Sequence, residues 1–236
     1  MNLYKYYSEV YDLFNSDYEW CLRFIRETIR DYANNPRSLL ELACGTGNIL
    51  QHFIGEYEIS GIDISASMLA QAKKKLPNAS LFEMNIAAFK LNRKFDLVIC
   101  MFDSINHLLS YEDWIKTFSC VRNHLNPGGV FMFDMNTLER LDNLSKSPGL
   151  MQEKDDAYLN MKVTKTAENV INWNIKIFKR VRDNLYELDE DNIEETSFSS
   201  QKVKQDLEML FGKVRIQTYE NGPNIVRGRI FFICQS

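Results

Sequence analysis

The sequence has no long apolar run, no closely spaced pair of cysteines and no net positive charge. No apolar segment approaches the roughly 20 residues that span a bilayer, and the N-terminus, Met1-Asn-Leu-Tyr-Lys-Tyr-Tyr7, lacks the apolar core of a signal peptide. The net charge of −4 supplies no field that would attract nucleic acid or an anionic membrane. We therefore expect a cytoplasmic protein with neither a nucleic-acid partner nor a membrane partner.

Cysteine spacing argues against disulfides and against zinc. No Cys-x-x-Cys pair occurs, and the five cysteines have apolar neighbours: Cys21, Cys44, Cys100, Cys120 and Cys234. Such residues are expected to be reduced core residues rather than metal ligands. With 236 residues and 45% hydrophobic residues, the chain can bury a proper core as one domain, 1–236.

The most informative segment is Glu41-Leu-Ala-Cys-Gly-Thr-Gly-Asn-Ile-Leu50. It joins an apolar run to a predicted helix that continues to about Glu56. Glycines permit a tight turn and a close approach of a ligand to the backbone, so this layout predicts a cofactor loop after the first strand of an α/β sheet. A dinucleotide loop of the G-x-G-x-x-G type would have its third glycine where this chain has Leu50.

The remainder of the first 136 residues alternates strands and helices. A capping-box pattern at Ser16-Asp-Tyr-Glu19 predicts a helix before the first strand, and Ser65 and Ser110 are predicted to cap two later helices. The later strands are predicted at 57–62, 80–83, 95–101 and 130–134. This alternation predicts a doubly wound α/β fold with a parallel sheet and right-handed crossovers.

A different pattern begins after Asn136. Apolar and polar residues alternate strictly in two segments, which indicates antiparallel strands with one wet face. We interpret 137–198 as an antiparallel β insertion after the fifth strand, lying over the C-terminal edge of the sheet. One more helix and two strands, joined by a turn at Asn221-Gly-Pro223, complete the chain, and 1–36 is interpreted as a lid and a helix.

These motifs together resemble the class I S-adenosylmethionine (SAM) methyltransferases. They are the glycine loop, Gly61-Ile-Asp-Ile-Ser65, Phe95-Asp-Leu-Val98, Asn126-Pro-Gly-Gly129 and Arg229-Ile-Phe-Phe232. The segments Tyr7-Ser-Glu-Val-Tyr-Asp12 and Asp103-Ser-Ile-Asn-His-Leu108 are similar to those of small, stand-alone bacterial members that act on small molecules. The resemblance implies a Rossmann-like transferase with SAM as cofactor and S-adenosylhomocysteine (SAH) as product. It also implies a sheet of seven strands, mostly parallel, with the last strand antiparallel.

The resemblance, with elementary chemistry, assigns the cofactor-binding residues. The backbone from Ala43 to Gly47 would approach the methionine and ribose portions, and Glu41 would reach the ammonium. Asp63, 18 positions after Gly45, would accept both ribose hydroxyls because an ionised carboxylate offers only acceptors. The remaining expected contacts are Ala43, Cys44, Thr46, Ile64, Met68, Met84, Ile86 and the lid residue Tyr11.

Three residues keep an alternative. Asn85 stands where the family usually carries an aspartate for the adenine amino group, and it can accept only through its amide oxygen. Phe102 lines the methyl-donor pocket or packs in the core. His107 is the candidate catalytic residue, as general base or as a residue that orients the acceptor. Its alternative is a structural residue of the pocket wall, because related sequences carry tyrosine there.

The resulting prediction is methyl transfer from SAM to a nitrogen or oxygen of a small-molecule acceptor. A non-catalytic SAM-binding regulatory module and a nicotinamide-dinucleotide oxidoreductase are the alternatives. The segment Ile193-Glu-Glu-Thr196 occupies the place where relatives often have H-x-x-R, so the acceptor of those relatives is not carried over to this chain. The N-P-P-Y signature of enzymes that methylate amino groups of nucleic acids is absent. No oligomeric state follows from the sequence.

Overall fold

The computed structural model describes residues 4, 6–15, 17–218 and 227–236. Within them, six α-helices are α1 (Tyr7–Phe14), α2 (Glu19–Tyr32), α3 (Ala66–Lys75), α4 (Tyr111–His124), α5 (Leu138–Ser145) and α6 (Ser200–Leu210). The strands are β1 (Ser38–Leu42), β2 (Glu58–Asp63), β3 (Ser80–Glu83), β4 (Phe95–Cys100), β5 (Leu125–Asn136), β6 (Leu150–Lys154), β7 (Ala157–Ala167), β8 (Val170–Arg182), β9 (Leu185–Thr196), β10 (Lys213–Thr218) and β11 (Arg229–Gln235).

Seven strands form the main sheet in the order β10-β11-β5-β4-β1-β2-β3. Strand β11 pairs antiparallel with β10 and β5, whereas the pairs among β1 to β5 are parallel. Four further strands form an antiparallel sheet in the order β6-β7-β8-β9. The predicted fold class is therefore confirmed, including the antiparallel last strand and the antiparallel insertion.

The main sheet is buried on both faces, and this explains its nearly continuous apolar strands. In β4, Val98 and Cys100 join the core layer under α4 and α6, while Leu97 and Ile99 join the layer under α2. Successive side chains of a strand point to opposite faces, so a sheet covered on both sides requires apolar residues at every position. Phe24 of α2 packs into the second layer, against the same face of the sheet as Leu97 and Ile99.

The antiparallel sheet holds the N-terminal helix over the main sheet. Tyr7, Val10 and Phe14 of α1 pack against an apolar cluster that includes Leu159 and Ile175 of this sheet. The outer strand β9 lies along a 3₁₀ turn, Ser104–His107, that follows β4. The insertion thus lies at the C-terminal edge of the parallel strands, as expected.

Some local predictions need correction. The helix expected after the glycine loop to about Glu56 is wrong: a 3₁₀ helix at Leu50–Phe53 stands there, and Gly55, with a φ of 81°, ends it. Helices α1 and α5 were not expected as helices. The caps at Ser65 and Ser110 are confirmed, since their side chains accept from the N–H groups of Met68 and Asp113. Ser16 and Asn221-Gly-Pro223 lie outside the described residues.

Candidate active site

A cavity of about 550 Å³ lies at the C-terminal ends of β1, β2 and β4. The chain runs from β1 outward to β3 and then returns to place β4 on the other side of β1. Loops that leave such neighbouring strands diverge and open a crevice, which is the usual ligand site of an open α/β sheet. Here α1 and the outer strand β9 cover part of this crevice.

Most residues expected at the cofactor site lie on the wall of this cavity. Those on the wall are Tyr11, Glu41, Ala43, Cys44, Gly45, Thr46, Asp63, Ile64, Met68, Asn85, Ile86, Phe102 and His107. Gly47 and Met84 do not line it. A Cβ on Gly47 would lie 2.6 Å from the Leu76 Cδ1 atom, so this glycine is required by packing against the end of α3. Met84 packs against the main core.

The first glycine of the loop differs from the second. Gly45 has a φ of 53°, and a Cβ built on it meets no atom within 4 Å. Gly45 lies on the cavity wall, so the missing side chain leaves room for a ligand to approach the backbone. Ala43 also has a positive φ, 53°, which costs free energy in a residue with a Cβ.

Glu41 places a buried carboxylate at the base of the cavity. Burial, followed by the negative charge of Asp63, raises the pKa of Glu41 well above its usual range, while the Leu50 backbone N–H opposes the shift. Its Oε2 atom is buried without a hydrogen-bond partner among the described residues. A buried polar atom without a partner is costly, and this one lines a cavity that a cationic group could enter.

Asp63, at the end of β2, links the two loops. Its carboxylate accepts from the backbone N–H groups of Gly45 and Ser65, each at 2.8 Å. Burial raises the pKa of Asp63, and these N–H groups work against the rise. Each carboxylate oxygen has a further lone pair, so both oxygens retain the capacity to accept from a ligand hydroxyl.

A residue that the sequence did not single out, Asp12, ties α1 to the glycine loop. Its Oδ1 atom accepts from Thr46 Oγ1 at 2.5 Å and from Asn48 Nδ2 at 2.6 Å, and its carboxylate pairs with Lys75. Asp12 stands beside Tyr11 in the segment that carried the resemblance, and this acidic residue was the available signal. These contacts hold α1 against the loop that would bind the cofactor.

The expected adenine site is open on one side. Met68 is buried, whereas the Ile64 side chain is 53% exposed. The amide oxygen of Asn85 accepts from the Ala87 N–H at 2.8 Å. That oxygen is the only acceptor on the side chain, so a contact with an adenine amino group would have to use its second lone pair.

The loop after β4 is strained. Phe102 and Asp103 both have positive φ values, 58° and 51°, and each such residue costs on the order of 1–3 kcal/mol unless its surroundings hold it. Here Asp103 Oδ1 pairs with Arg229 at 2.6 Å, and its N–H donates to Asp134 Oδ2 at 3.0 Å. Arg229 also pairs with Asp134 at 2.5 Å. These buried charges position the Phe102 ring on the cavity wall.

His107 is held at both ring nitrogens. Nδ1 lies 3.2 Å from the carbonyl oxygen of Glu194 on β9, and Nε2 lies 3.1 Å from the Tyr4 hydroxyl. A carbonyl can only accept, so Nδ1 carries a proton, and in the tautomer with its proton on Nδ1 the Nε2 atom accepts from Tyr4. Burial raises the pKa of Tyr4 well above its usual range, so it remains a neutral donor. The sequence did not single out this pairing because 103 positions separate the residues.

Comparisons with known proteins agree with the fold described above. The methyltransferase domain family model matches residues 39–129. A solved S-adenosylmethionine-dependent methyltransferase from Clostridium acetobutylicum superposes with a TM-score of 0.82 and 25% identity, covering 98% of both chains. The fold of this chain is that of the class I SAM-dependent methyltransferases. DesVI of Streptomyces venezuelae also superposes on this methyltransferase fold, with a TM-score of 0.82 and 26% identity over 97% of both chains.

A curated relative is the dTDP-3-amino-3,4,6-trideoxy-alpha-D-glucopyranose N,N-dimethyltransferase of Streptomyces venezuelae. It is 36% identical over 133 residues, which cover 54% of this chain and 56% of the relative. The chain thus spans about half the length of the curated relatives that it matches first. SAM is the cofactor of the family, which agrees with the predicted cofactor. In the described part of this methyltransferase fold, no helix combines the length and the apolar character needed to cross a bilayer.

Proposed function

We propose that the protein is an enzyme that transfers a methyl group from SAM to a nitrogen of a small-molecule acceptor. The observation that carries this proposal is the cavity at the ends of β1, β2 and β4, where Glu41 and Asp63 flank an open glycine loop. Nitrogen is preferred to oxygen because the curated relatives with named substrates at the head of the comparison are N,N-dimethyltransferases.

The residues present fit this cofactor. The buried, unpaired oxygen of Glu41 suits the ammonium of the methionine portion, and the carboxylate of Asp63 suits two ribose hydroxyls. The space at Gly45 admits a ligand against the backbone. When bound, SAM supplies an electrophilic methyl group on a sulfonium. We assign Tyr11, Ile64, Met68, Ile86 and Phe102 to the apolar walls of the same site.

The chain itself contributes position, exclusion of water and a place for a proton. Helix α1 and the antiparallel sheet cover part of the cavity, so an acceptor held beneath them is aligned in a site partly shielded from solvent. An amine that attacks carbon must be without one proton, and we assign the role of base to His107 Nε2 on the cavity wall. Since Tyr4 occupies that atom, the hydroxyl must either relay the proton or move aside.

Calorimetry of SAM binding tests the cofactor assignment. Asp63→Ala removes charge-assisted hydrogen bonds worth about 1.5–3 kcal/mol in total and should weaken SAM binding roughly 10- to 150-fold. Asp96→Asn is the matched control: Asp96 accepts from Arg37, Ser38 and Asn126 at the opposite end of β4, far from the cavity walls.

The control should lose stability but keep its SAM affinity. Equal SAM affinity in wild type and Asp63→Ala would contradict the assignment, and tight binding of NADH in place of SAM would favour the dinucleotide alternative. SAM binding without turnover of any amine would favour a regulatory module.

A further inference from the structure

The charges on the cavity wall are of one sign. Among the described residues that line it, the formally charged side chains are Glu41, Asp63, Asp113 and Glu194, and neither lysine nor arginine occurs. Two of these carboxylates, Glu41 and Asp63, flank the glycine loop and are assigned above to the cofactor. Of the other two, Asp113 pairs with Lys116, so Glu194 remains for the acceptor.

Glu194 lies beside the candidate base. Its backbone carbonyl accepts from His107 Nδ1 at 3.2 Å. The carboxylate of Glu194 is therefore carried by the part of β9 that lies next to the candidate base. Glu194 is exposed and lines the cavity, and Thr166 Oγ1 donates to its Oε1 at 3.4 Å. No ion pair involves Glu194 among the described residues.

Two amides continue this wall next to Glu194. Asn172 lies directly across from Glu194 in the β8–β9 pairing, and its Nδ2 donates to Asn192 Oδ1 at 3.0 Å. Both asparagines line the cavity. Amide groups both donate and accept, so this wall can recognise hydroxyl groups beside a cation.

Among the described residues that line the cavity, no lysine or arginine is present to bind a phosphate. Helix α4 begins at the cavity, but its first turn carries Glu112 and Asp113, whose charges offset the positive end of the helix dipole. Lys116, one turn further, pairs with both of these carboxylates. A nucleoside diphosphate normally requires Arg, Lys or uncompensated N–H groups.

We propose that the acceptor is a small amine that is cationic at neutral pH and carries no phosphate. Glu194 recognises its positive charge, and Asn172 and Asn192 contact its hydroxyl groups. The proposal rests on the methyl transfer proposed above and names the substrate class of the same site. It separates this chain from its dTDP-sugar relatives, whose named substrates carry a diphosphate.

The first experiment uses SAM with a labelled methyl group and a phosphatase-free extract of bacterial small molecules, divided by ion exchange at neutral pH. We expect labelled product from the cationic fraction. Labelled product that arises only from the anionic fraction, and that loses its negative charge only after phosphodiesterase followed by phosphatase treatment, would overturn this inference and leave methyl transfer intact. No labelled product from either fraction, with SAM binding retained, would contradict methyl transfer and this inference with it.

The second experiment tests Glu194 directly with the amine fraction that is turned over. Glu194→Gln should raise KM roughly 10- to 100-fold, the loss of one charge-assisted contact, with little change in kcat or SAM affinity. Glu190→Gln is the control, since Glu190 lies on the same exposed face of β9 but does not line the cavity. Equal KM values for the two variants would overturn the role of Glu194.

Discussion

Two of the glycines with a positive φ and open space at the Cβ position allow a test that separates backbone strain from cofactor binding. Gly45 and Gly55 have φ values of 53° and 81°, and a Cβ on either meets nothing within 4 Å. Replacing either by alanine therefore introduces the same kind of strain and no clash inside the protein. Only Gly45 lies on the cavity wall. A methyl group there occupies space that the cofactor needs, whereas one on Gly55 faces solvent.

The two contributions have different magnitudes and different readouts. A left-handed conformation costs an alanine about 1–2 kcal/mol, which in a chain of 236 residues lowers Tm by roughly 2–8 °C for each variant. The lost close approach should weaken SAM binding by more than about 10-fold, or ~1.4 kcal/mol, in Gly45→Ala alone.

Thermal unfolding without ligand measures the first effect, and calorimetry with SAM measures the second. We expect similar losses of Tm in the two variants and a loss of SAM affinity only in Gly45→Ala. If Gly45→Ala bound SAM as tightly as Gly55→Ala, the cofactor would not approach the loop as inferred. Unequal losses of Tm would contradict the assumption that strain is matched.

Three further predictions concern the base, the lid and the buried charges. His107→Ala should lower turnover about 10²–10⁴-fold, the usual contribution of a general base, and leave SAM affinity nearly unchanged. Asp12→Asn removes the ion pair with Lys75 and should accelerate hydrogen exchange in α1. The pKa of Glu195 is raised, first by burial and then by the charge of Asp103. This raised pKa makes the wild type lose stability as pH rises above about 4.5. The free energy of unfolding of Glu195→Gln relative to wild type, from urea titrations, should therefore increase between about pH 5 and about pH 8.

Each of these has a control or a contrary outcome. A near wild-type rate for His107→Ala would leave catalysis to positioning alone and His107 as a structural residue. Glu9→Gln is the control for the hydrogen-exchange experiment. Glu9 also lies in α1, but it pairs with Lys179 of β8 and not with the glycine loop. Equal exchange in both variants would refute the role of Asp12 in holding α1 to that loop. A stability difference for Glu195→Gln that is independent of pH would show that Glu195 ionises normally in the folded protein.

The local order of the chain was predictable because it depends on neighbours in sequence. The apolar runs of β4 and β5 follow from burial on two faces, and the caps at Ser65 and Ser110 follow from the preference of a hydroxyl for free helix N–H groups. Asp63 was predictable because β2 and the glycine loop must meet at one edge of a parallel sheet.

Contacts between distant segments were not predictable in this way. The pairing of Tyr4 with His107 and that of Asp12 with Asn48 join the N-terminus to loops of the main sheet. Glu194 reaches the cavity only because β9 is the outer strand of the second sheet and its free edge meets the turn after β4. A charge run in the sequence does not distinguish such a position from a solvated hairpin. The fold had to be known before the acceptor wall could be identified.

The most direct test of the central claim follows an isotopically labelled methyl group from SAM onto the amine acceptor by NMR and mass spectrometry, with SAH measured in the same reaction. We predict one SAH for each methyl group transferred, a label bound to nitrogen, and loss of both signals in Asp63→Ala at a SAM concentration that saturates the wild type. Tight SAM binding with no labelled product, or a label found on oxygen, would contradict N-methyl transfer in this cavity.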